Sequence, residues 1–323
     1  MNDKYEIQMI DWKDENLDRI SKFTTDIWVN QGLDRTYDRT KNWFENQSFD
    51  IQPVSISVLD KNELVGWLLL VKHNEHEAEI NPWALGGHPL INTMGDKDVI
   101  ARLLIREVIS LIKNESITSV ELNHYTLGTE EEKIFHNVYT NLEFILLEQT
   151  CHMKMEFKTS DEFTYNLPKN YKIIPIKDVN ESDFFSCFHN AFRNSQDPWM
   201  LEKSDDEIRS YFDSTIIKSP FPLIDNASIG LFENNKMIAF TVVRESHGEE
   251  NGHLWIMGVH SDYRRQGLGN ALMNLIKSKL KVSNYQTFSL NVNLVNTLAF
   301  QLYKKHNMKE DWVQNCYAWK KKE

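Results

Sequence analysis

The sequence predicts an α+β protein in which mixed sheets are covered by helices, organised as two domains of similar layout. Its 323 residues, 41% of them hydrophobic, suffice to build two separate cores. A weak internal repeat, at an offset of about 165 residues, gives each half the order strand, helices, hairpin, strand, helix, strand, helix, strand. The predicted domains are residues 1–160 and 161–323, because a polar, proline-containing stretch at 157–170 separates the halves.

The repeat is clearest in the predicted strands. Tyr5–Asp11 and Tyr171–Lys177 both alternate apolar and polar residues, as half-buried strands do. Residues 61–71 and 234–244 share a second pattern, a polar turn followed by a run rich in branched and aromatic residues. Each of these runs is predicted to be the second arm of a β-hairpin.

Composition argues against several classes of partner. The formal net charge of −11 repels a phosphate backbone, so nucleic acid is not an expected partner. The chain contains no long uninterrupted apolar stretch, and its first residues lack the pattern of a signal peptide, so we expect a cytoplasmic protein without a membrane partner, as monomer or homodimer. Cys151, Cys187 and Cys316 are widely spaced and form no C-x-x-C pair, so we expect buried thiols and no metal site.

The segment 253–280 is the most informative for chemistry. It is predicted to be a strand ending at Val259, a loop, and a helix whose apolar residues recur at helical spacing. Gly267 and Gly269 therefore lie where the loop enters the helix. A helix start offers unpaired N–H donors and a partial positive charge, and glycine lets a phosphate approach the backbone, so this loop suits a diphosphate.

Two other phosphate-binding loops do not match this segment. It has no Gly-Lys-Ser/Thr ending, and it is not a G-x-G-x-x-G after the first strand of a nucleotide-binding βαβ unit. What it has is Arg264-x-x-Gly267-x-Gly269, which closely resembles the coenzyme-A-binding motif of the GNAT superfamily of acyl-CoA N-acyltransferases. Residues 289–293 and 296–308 resemble the strand and helix that follow in that family, and the two halves resemble its tandem-domain members, so we expect two tandem GNAT-like domains.

The resemblance implies a binding site for acetyl-CoA as cosubstrate. Backbone N–H groups of the loop would hold the coenzyme diphosphate beside Arg264; the loop residues are Arg265, Gln266, Gly267, Leu268, Gly269 and Asn270. Met257 and Val259 would offer backbone groups to the pantetheine arm where two strands splay apart. Asn296 would lie beside that arm, although asparagine also caps helices in any fold.

The resemblance also suggests catalytic residues. Tyr303 stands where many family members carry the tyrosine that protonates the coenzyme thiolate, although a packed aromatic residue would show the same pattern. The backbone N–H of Val259 would meet the oxyanion. His253 stands where several members place a basic glutamate and is the candidate general base, although a histidine at a strand end is often a surface residue.

Acceptor contacts are predicted between the first helices of the second half, where the family builds its acceptor pocket. Asp197 and Trp199 could hold a cation through charge and ring face. Glu245, Glu249 and Glu250, on the preceding hairpin, are alternatives to His253 as the base, and Glu245 is also a candidate for contact with the substrate. A plain solvated loop would explain the same residues.

The first half departs from the motif. Gly86-Gly87 is followed by His88-Pro89, and no Arg or Gln stands three residues before a glycine pair at a helix start, so this half is expected not to bind coenzyme. Tyr139 would then occupy the position equivalent to Tyr303 without its function. The leading hypothesis is an N-acetyltransferase for the amine of a small molecule, such as an antibiotic or metabolite; the alternatives are an idle acyl-CoA sensor and a protein amine acetyltransferase.

Overall fold

The computed structural model divides the chain into two compact units, Met1–Gln149 with Gln314–Glu323, and Thr150–Val313. The residues that the structure describes are 4–13, 16–30, 35–82, 85–92, 94–126, 130–195, 197, 200–201, 203–245 and 250–322.

The first unit contains a sheet in the order β1-β2-β3-β4-β6, with β5 paired to β3 and residues 314–320 of β13 next to β6. The strands are β1 (Tyr5–Met9), β2 (Val54–Asp60), β3 (Glu63–Lys72), β4 (Glu77–Ile80), β5 (Leu90–Ile91), β6 (Ser119–Thr126), part of β7 (Ile145–Glu156) and part of β13 (Lys309–Lys320). The helices are α1 (Leu17–Asn30), α2 (Tyr37–Glu45), α3 (Lys97–Lys113) and α4 (Glu130–Asn141).

The second unit contains a sheet in the order β8-β9-β10-β11-β12, with residues 150–156 of β7 next to β12. Its other strands are β8 (Tyr171–Pro175), β9 (Ile229–Glu233), β10 (Lys236–Glu245), β11 (Asn251–Val259) and β12 (Thr287–Asn293). The helices are α5 (Glu181–Arg193), α6 (Asp205–Tyr211), which continues as a π-helical turn Phe212–Ile217, α7 (Leu268–Val282) and α8 (Thr297–Lys305).

Both sheets are mixed, which confirms the predicted fold class. The pairs β4–β6 and β11–β12 are parallel, whereas β2–β3 and β10–β11 are antiparallel. In the second unit, Phe240 and Val242 of β10 pack in a cluster with α5 and the segment after it. Val243, which points the other way, packs with α7 and α8. Helices therefore cover both faces of this sheet, and each unit has its own core.

The compact units do not coincide with the predicted domains. We expected the boundary between residues 160 and 161, but the units divide between Gln149 and Thr150 and again between Val313 and Gln314. The physical reason is that residues 150–156 of β7 pair with β12 along their whole length. The polar stretch at 157–170 looks like a linker in composition, yet the pairing of strands assigns the residues before it to the second unit.

Two other expectations concern cysteines and membranes. Cys151 and Cys187 are buried free thiols, as predicted, whereas Cys316 is only partly buried. Among the described residues, no helix is both long and apolar enough to cross a membrane, and no group of three or more potential metal-ligating side chains comes together.

Candidate active site

The start of α7 lacks the side-chain cap that most helices carry. Gly267 occupies the N-cap position with φ 83°, a left-handed conformation that favours glycine, and no acidic residue lies in the first turn. The first backbone bond runs from the N–H of Ala271 to the carbonyl of Gly267, at 3.1 Å. The N–H groups of Leu268, Gly269 and Asn270 therefore have no acceptor inside the helix, and they form a site suited to an anion.

Two arginines stand beside this helix start, and their roles differ: Arg264 binds backbone carbonyls, and Arg265 is exposed. The Arg264 guanidinium donates to the carbonyl oxygens of Val259 (Nε to O, 3.1 Å), Ala191 and Asn194. Burial lowers its pKa, and the side chain ties the loop to the end of α5. Arg264 is thus committed to protein carbonyls, a use that the motif alone did not reveal, whereas Arg265 is exposed and is the arginine that extends towards solvent.

The strands β11 and β12 part next to this loop. They pair in parallel from Asn251↔Thr287 only as far as Leu254↔Leu290, and Trp255 is an extra residue in β11, because Val242 pairs with Ile256 and Val243 with Leu254. Beyond that bulge β11 keeps its pairing with β10 up to Val259. A gap therefore opens between β11 and β12.

Backbone groups of Met257 and Val259 face this gap. The N–H of His260 donates to the carbonyl of Ile238 at 2.9 Å, which identifies that pair as hydrogen-bonded across β10 and β11. Because hydrogen-bonded and non-hydrogen-bonded pairs alternate in an antiparallel ladder, Val259 opposite Ala239 and Met257 opposite Thr241 direct their N–H and C=O groups away from β10. The Val259 carbonyl is taken by Arg264, but its N–H points into the gap.

Tyr303, on α8, is within electrostatic range of the carboxylate of Asp197. The tyrosine is 8% exposed, and no described residue hydrogen-bonds its hydroxyl. Burial, with the negative charge of Asp197, raises the pKa of Tyr303 to about 12. Asp197 also helps raise the pKa of Tyr211 to about 12, after burial. The predicted acid and one predicted acceptor residue thus interact through charge, together with a second phenol that the sequence did not indicate.

His253 is not a surface residue. Its Nδ1 lies 2.9 Å from the Ser289 hydroxyl oxygen, and the Ser289 hydroxyl also accepts from the Asn251 amide at 3.0 Å. Burial, and then the neighbouring His152, lower the pKa of His253 to about 4. The ring is therefore neutral at pH 7, and its Nε2 can accept a proton only in the tautomer whose Nδ1–H donates to Ser289.

The remaining candidates are spread over the unit. Asn296 is the N-cap of α8, where its side chain accepts from the N–H of Ala299 at 3.3 Å. Glu245 lies at the far end of the strand pair, opposite Gly252, and its carboxylate accepts from the Tyr285 hydroxyl at 3.0 Å. Gln266 is exposed, and its amide donates to the Asp262 carbonyl at 3.3 Å. Trp199 and Glu249 lie outside the described residues.

Sequence reasoning missed a group that β7 and β13 add beside His253. His152 stands 6.1 Å from His253 by ring centroids, and its Nδ1 lies 3.0 Å from the Asp311 carboxylate. No signal in the sequence could have suggested it, because His152 precedes the predicted domain boundary and belongs to no motif.

The corresponding gap in the first unit is filled by the chain itself. The parallel pairing of β4 with β6 ends at Ile80↔Leu122, and the next N–H, of Asn123, donates to the Gly87 carbonyl at 2.9 Å. The side chain of Asn81 holds this loop, because its amide donates to the His88 carbonyl at 2.6 Å. A Cβ on Gly87 would lie 1.9 Å from the Asn123 oxygen, so only glycine fits.

The first helix after this gap also differs from α7. Asp96 is the N-cap of α3, and its carboxylate accepts from the N–H of Val99 at 3.2 Å. Asp98 adds a second acid in the first turn. These carboxylates occupy the positions in which α7 leaves its N–H donors available. Tyr139, the counterpart of Tyr303, is fully buried among rings that include Phe135 and Tyr317.

Comparison with known proteins agrees with the resemblance found for the second unit. Residues 185–308 match the acetyltransferase (GNAT) family. This match confirms the resemblance inferred from the motif. The curated relative [ribosomal protein bS18]-alanine N-acetyltransferase of Escherichia coli (strain K12) is 32% identical over 87 residues, covering 27% of this chain and 57% of that protein.

Two solved structures resemble the chain over nearly its whole length. A GCN5-related N-acetyltransferase from Sphaerobacter thermophilus has a TM-score of 0.66 at 11% identity, covering 99% of this chain and 96% of that one. A tandem GNAT protein from the clavulanic acid biosynthesis pathway has a TM-score of 0.61 at 10% identity, covering 98% of each chain. At such identities the likeness shows the fold, which is that of two tandem GNAT-like domains.

Proposed function

We propose that this protein is an N-acetyltransferase that moves the acetyl group of acetyl-CoA to the amine of a small molecule. The observation that carries the proposal is the uncapped start of α7 next to the gap between β11 and β12. The N–H groups of Leu268 to Asn270 suit a diphosphate, and Met257 and Val259 offer backbone groups to the pantetheine arm. No metal ion is required for this reaction.

In the proposed reaction, the amine nitrogen forms a bond to the thioester carbonyl carbon, and the carbon–sulfur bond then breaks. The N–H of Val259 points into the gap and would stabilise the negative charge that develops on the carbonyl oxygen. Tyr303 would donate its phenolic proton to the departing sulfur. Because its pKa is raised to about 12, the phenol remains protonated throughout the neutral range.

The proton released by the amine is assigned to His253. With a pKa of about 4, this imidazole is a weaker base than an ordinary histidine, but it is always neutral at pH 7. We propose that it accepts the proton directly or through a water molecule, in the tautomer that donates Nδ1–H to Ser289. Most of the driving force for deprotonation must then come from formation of the new C–N bond.

The acceptor is proposed to bind as a cation and to lose one proton to solvent before its nitrogen attacks. The proton that His253 accepts is the one released after the C–N bond has formed. The carboxylate of Asp197 lies near the phenols of Tyr303 and Tyr211, close enough to raise the pKa of both. A carboxylate beside the proposed acid is placed to hold an ammonium group near the thioester.

A second candidate acceptor is the amine of a protein. It is favoured by the relative that acts on the alanine of ribosomal protein bS18, although the chain spans only 57% of that relative. A peptide that begins with alanine therefore belongs among the substrates tested.

We further propose that only the second unit binds acetyl-CoA. In the first unit, the backbone of Gly87 occupies the position where the pantetheine arm would lie. The carboxylate of Asp96 occupies the position where the diphosphate would lie. Isothermal titration should accordingly give one acetyl-CoA per chain. A stoichiometry of two would contradict this part of the proposal.

The direct test is acetyl transfer from radiolabelled acetyl-CoA to a panel of small amines and one alanine peptide, with the release of free thiol as a second measure. We expect transfer to at least one small amine, with Tyr303→Phe slowed. Binding of acetyl-CoA without transfer to any acceptor would instead support an acyl-CoA sensor, and transfer to the peptide alone would support a protein acetyltransferase.

A further inference from the structure

His152 and His253 lie side by side above the strand that separates them. His152 is on β7 and His253 on β11, with β12 between them. Their ring centroids are 6.1 Å apart, and the ring planes differ by 5°. Along β12, His253 pairs with Ser289 and His152 pairs with Asn291, so both rings project from the same face of the sheet.

His152 is held in place by two residues of β13. The Asp311 carboxylate lies 3.0 Å from Nδ1, and the Trp312 ring stacks on the imidazole at 4.8 Å with planes 7° apart. A carboxylate at Nδ1 fixes the tautomer that donates from Nδ1–H and leaves Nε2 as the proton acceptor. Asp311 also lines a cleft of about 620 Å³.

The charged groups around the pair differ between its two members. On the His152 side, burial has the largest effect and lowers the pKa of the imidazole, Asp311 raises it, and Lys154 lowers it, so the pKa of His152 lies below its ordinary value. On the His253 side, the register partner on β10 is Arg244, whose guanidinium is buried and donates to the carbonyls of Ile216 and Phe221. Among the described residues, only His152 acts on His253 through charge.

The neighbouring carboxylate decides which ring is protonated first. Because Asp311 contacts His152 and not His253, the first proton that this pair takes up goes to His152. The resulting positive charge then opposes a second proton on His253, at a distance where two charges still interact strongly inside a protein.

We infer that His152, held by Asp311, is a positioning residue for His253: it takes up a proton in preference to His253 and so keeps the His253 imidazole able to accept the proton of the amine. This inference rests on the proposed function. It adds to the catalytic unit a residue that lies before the predicted domain boundary.

The test uses His152→Phe and Asp311→Asn in the full-length protein, with Glu310→Gln as a matched control. Glu310 precedes Asp311 on β13 and pairs with Lys304 at 2.9 Å, so its replacement removes the same charge from the same strand. The measurement is the pH dependence of kcat/KM for the amine. His152→Phe removes the positive charge on His152, and Asp311→Asn disfavours it by removing the partner carboxylate. Both variants should therefore raise the pKa of His253 and shift the acid limb to higher pH, by about 1 unit.

A second measurement does not depend on activity. Titration of the His253 ring protons by NMR should show the same upward shift in Asp311→Asn and none in Glu310→Gln. If His253 titrates in both variants as it does in the wild type, the inference is overturned, whether or not acetyl transfer occurs. If His152→Phe does not fold, an unchanged titration of His253 in Asp311→Asn is enough to overturn it. Absence of transfer by the wild type, with the NMR shift present, would overturn the proposed function instead.

Discussion

Replacing Arg264 tests whether this arginine stabilises the fold or contributes charge to coenzyme binding. A positive residue beside a diphosphate site is expected to contribute charge to ligand binding. In the structure its guanidinium instead donates to three carbonyl oxygens, those of Ala191, Asn194 and Val259. We therefore predict that Arg264→Ala weakens the folded second unit far more than it weakens electrostatic attraction to the coenzyme.

The expected loss follows from these carbonyls. Each one left without a donor in a part-buried position costs about 1 to 3 kcal/mol. The hydrogen bond to the Asn194 carbonyl is exposed, so water can replace it. The carbonyls of Ala191 and Val259 therefore account for the loss of stability. We expect a loss of about 3 kcal/mol in the free energy of unfolding, or roughly a hundredfold in the folding equilibrium. Lysine should not restore it, because a single ammonium cannot replace the planar guanidinium.

The assay is urea unfolding followed by circular dichroism, together with acetyl-CoA affinity at two salt concentrations. Arg265→Ala is the matched control, because Arg265 is adjacent and exposed. It should leave the unfolding midpoint unchanged and weaken binding slightly, in a manner that added salt removes. Wild-type stability in Arg264→Ala, combined with a large salt-sensitive loss of affinity, would refute the reasoning.

Three further predictions concern Tyr303 and Gly87. Tyr303→Phe should lower kcat at least about tenfold, since the proton donor is lost, while acetyl-CoA affinity measured by calorimetry stays unchanged. In the wild type, the pKa of Tyr303 is raised to about 12 and the protonated phenol is the active form, so a pH profile of kcat should show no loss from this group below that value. Gly87→Ala should destabilise the first unit by about 3 kcal/mol or more in urea unfolding. Gly86→Ala, where the backbone is equally left-handed but the added Cβ would meet no atom closer than 3.7 Å, should cost clearly less.

Much of the fold followed from local patterns. Alternating apolar residues located β1 and β8 at Tyr5 and Tyr171, and a helix was expected to start at Gly267 and Gly269, where α7 begins at Leu268. These elements obey the period of their own side chains, so the sequence alone defines them. The uncapped start of α7 was also predictable, because it depends on a glycine and on the absence of nearby acids.

The rest depends on contacts between distant residues. Nothing local indicates that residues 150–156 pair with β12, and this pairing is what brings His152 to His253. Arg264 binds backbone carbonyls, and Gly87 fills the gap between β4 and β6. Both roles depend on which backbone groups the fold places next to these residues, and composition does not specify that. Sequence motifs thus predicted where a ligand could bind, but not the residues that surround the binding atoms.

The central claim is that the start of α7 binds the coenzyme diphosphate. A crystal structure of the protein with acetyl-CoA tests it most directly. We predict the diphosphate on the N–H groups of Leu268, Gly269 and Asn270, the pantetheine arm between β11 and β12, and no coenzyme in the first unit. A coenzyme bound elsewhere, with these N–H groups turned to solvent, would contradict the account.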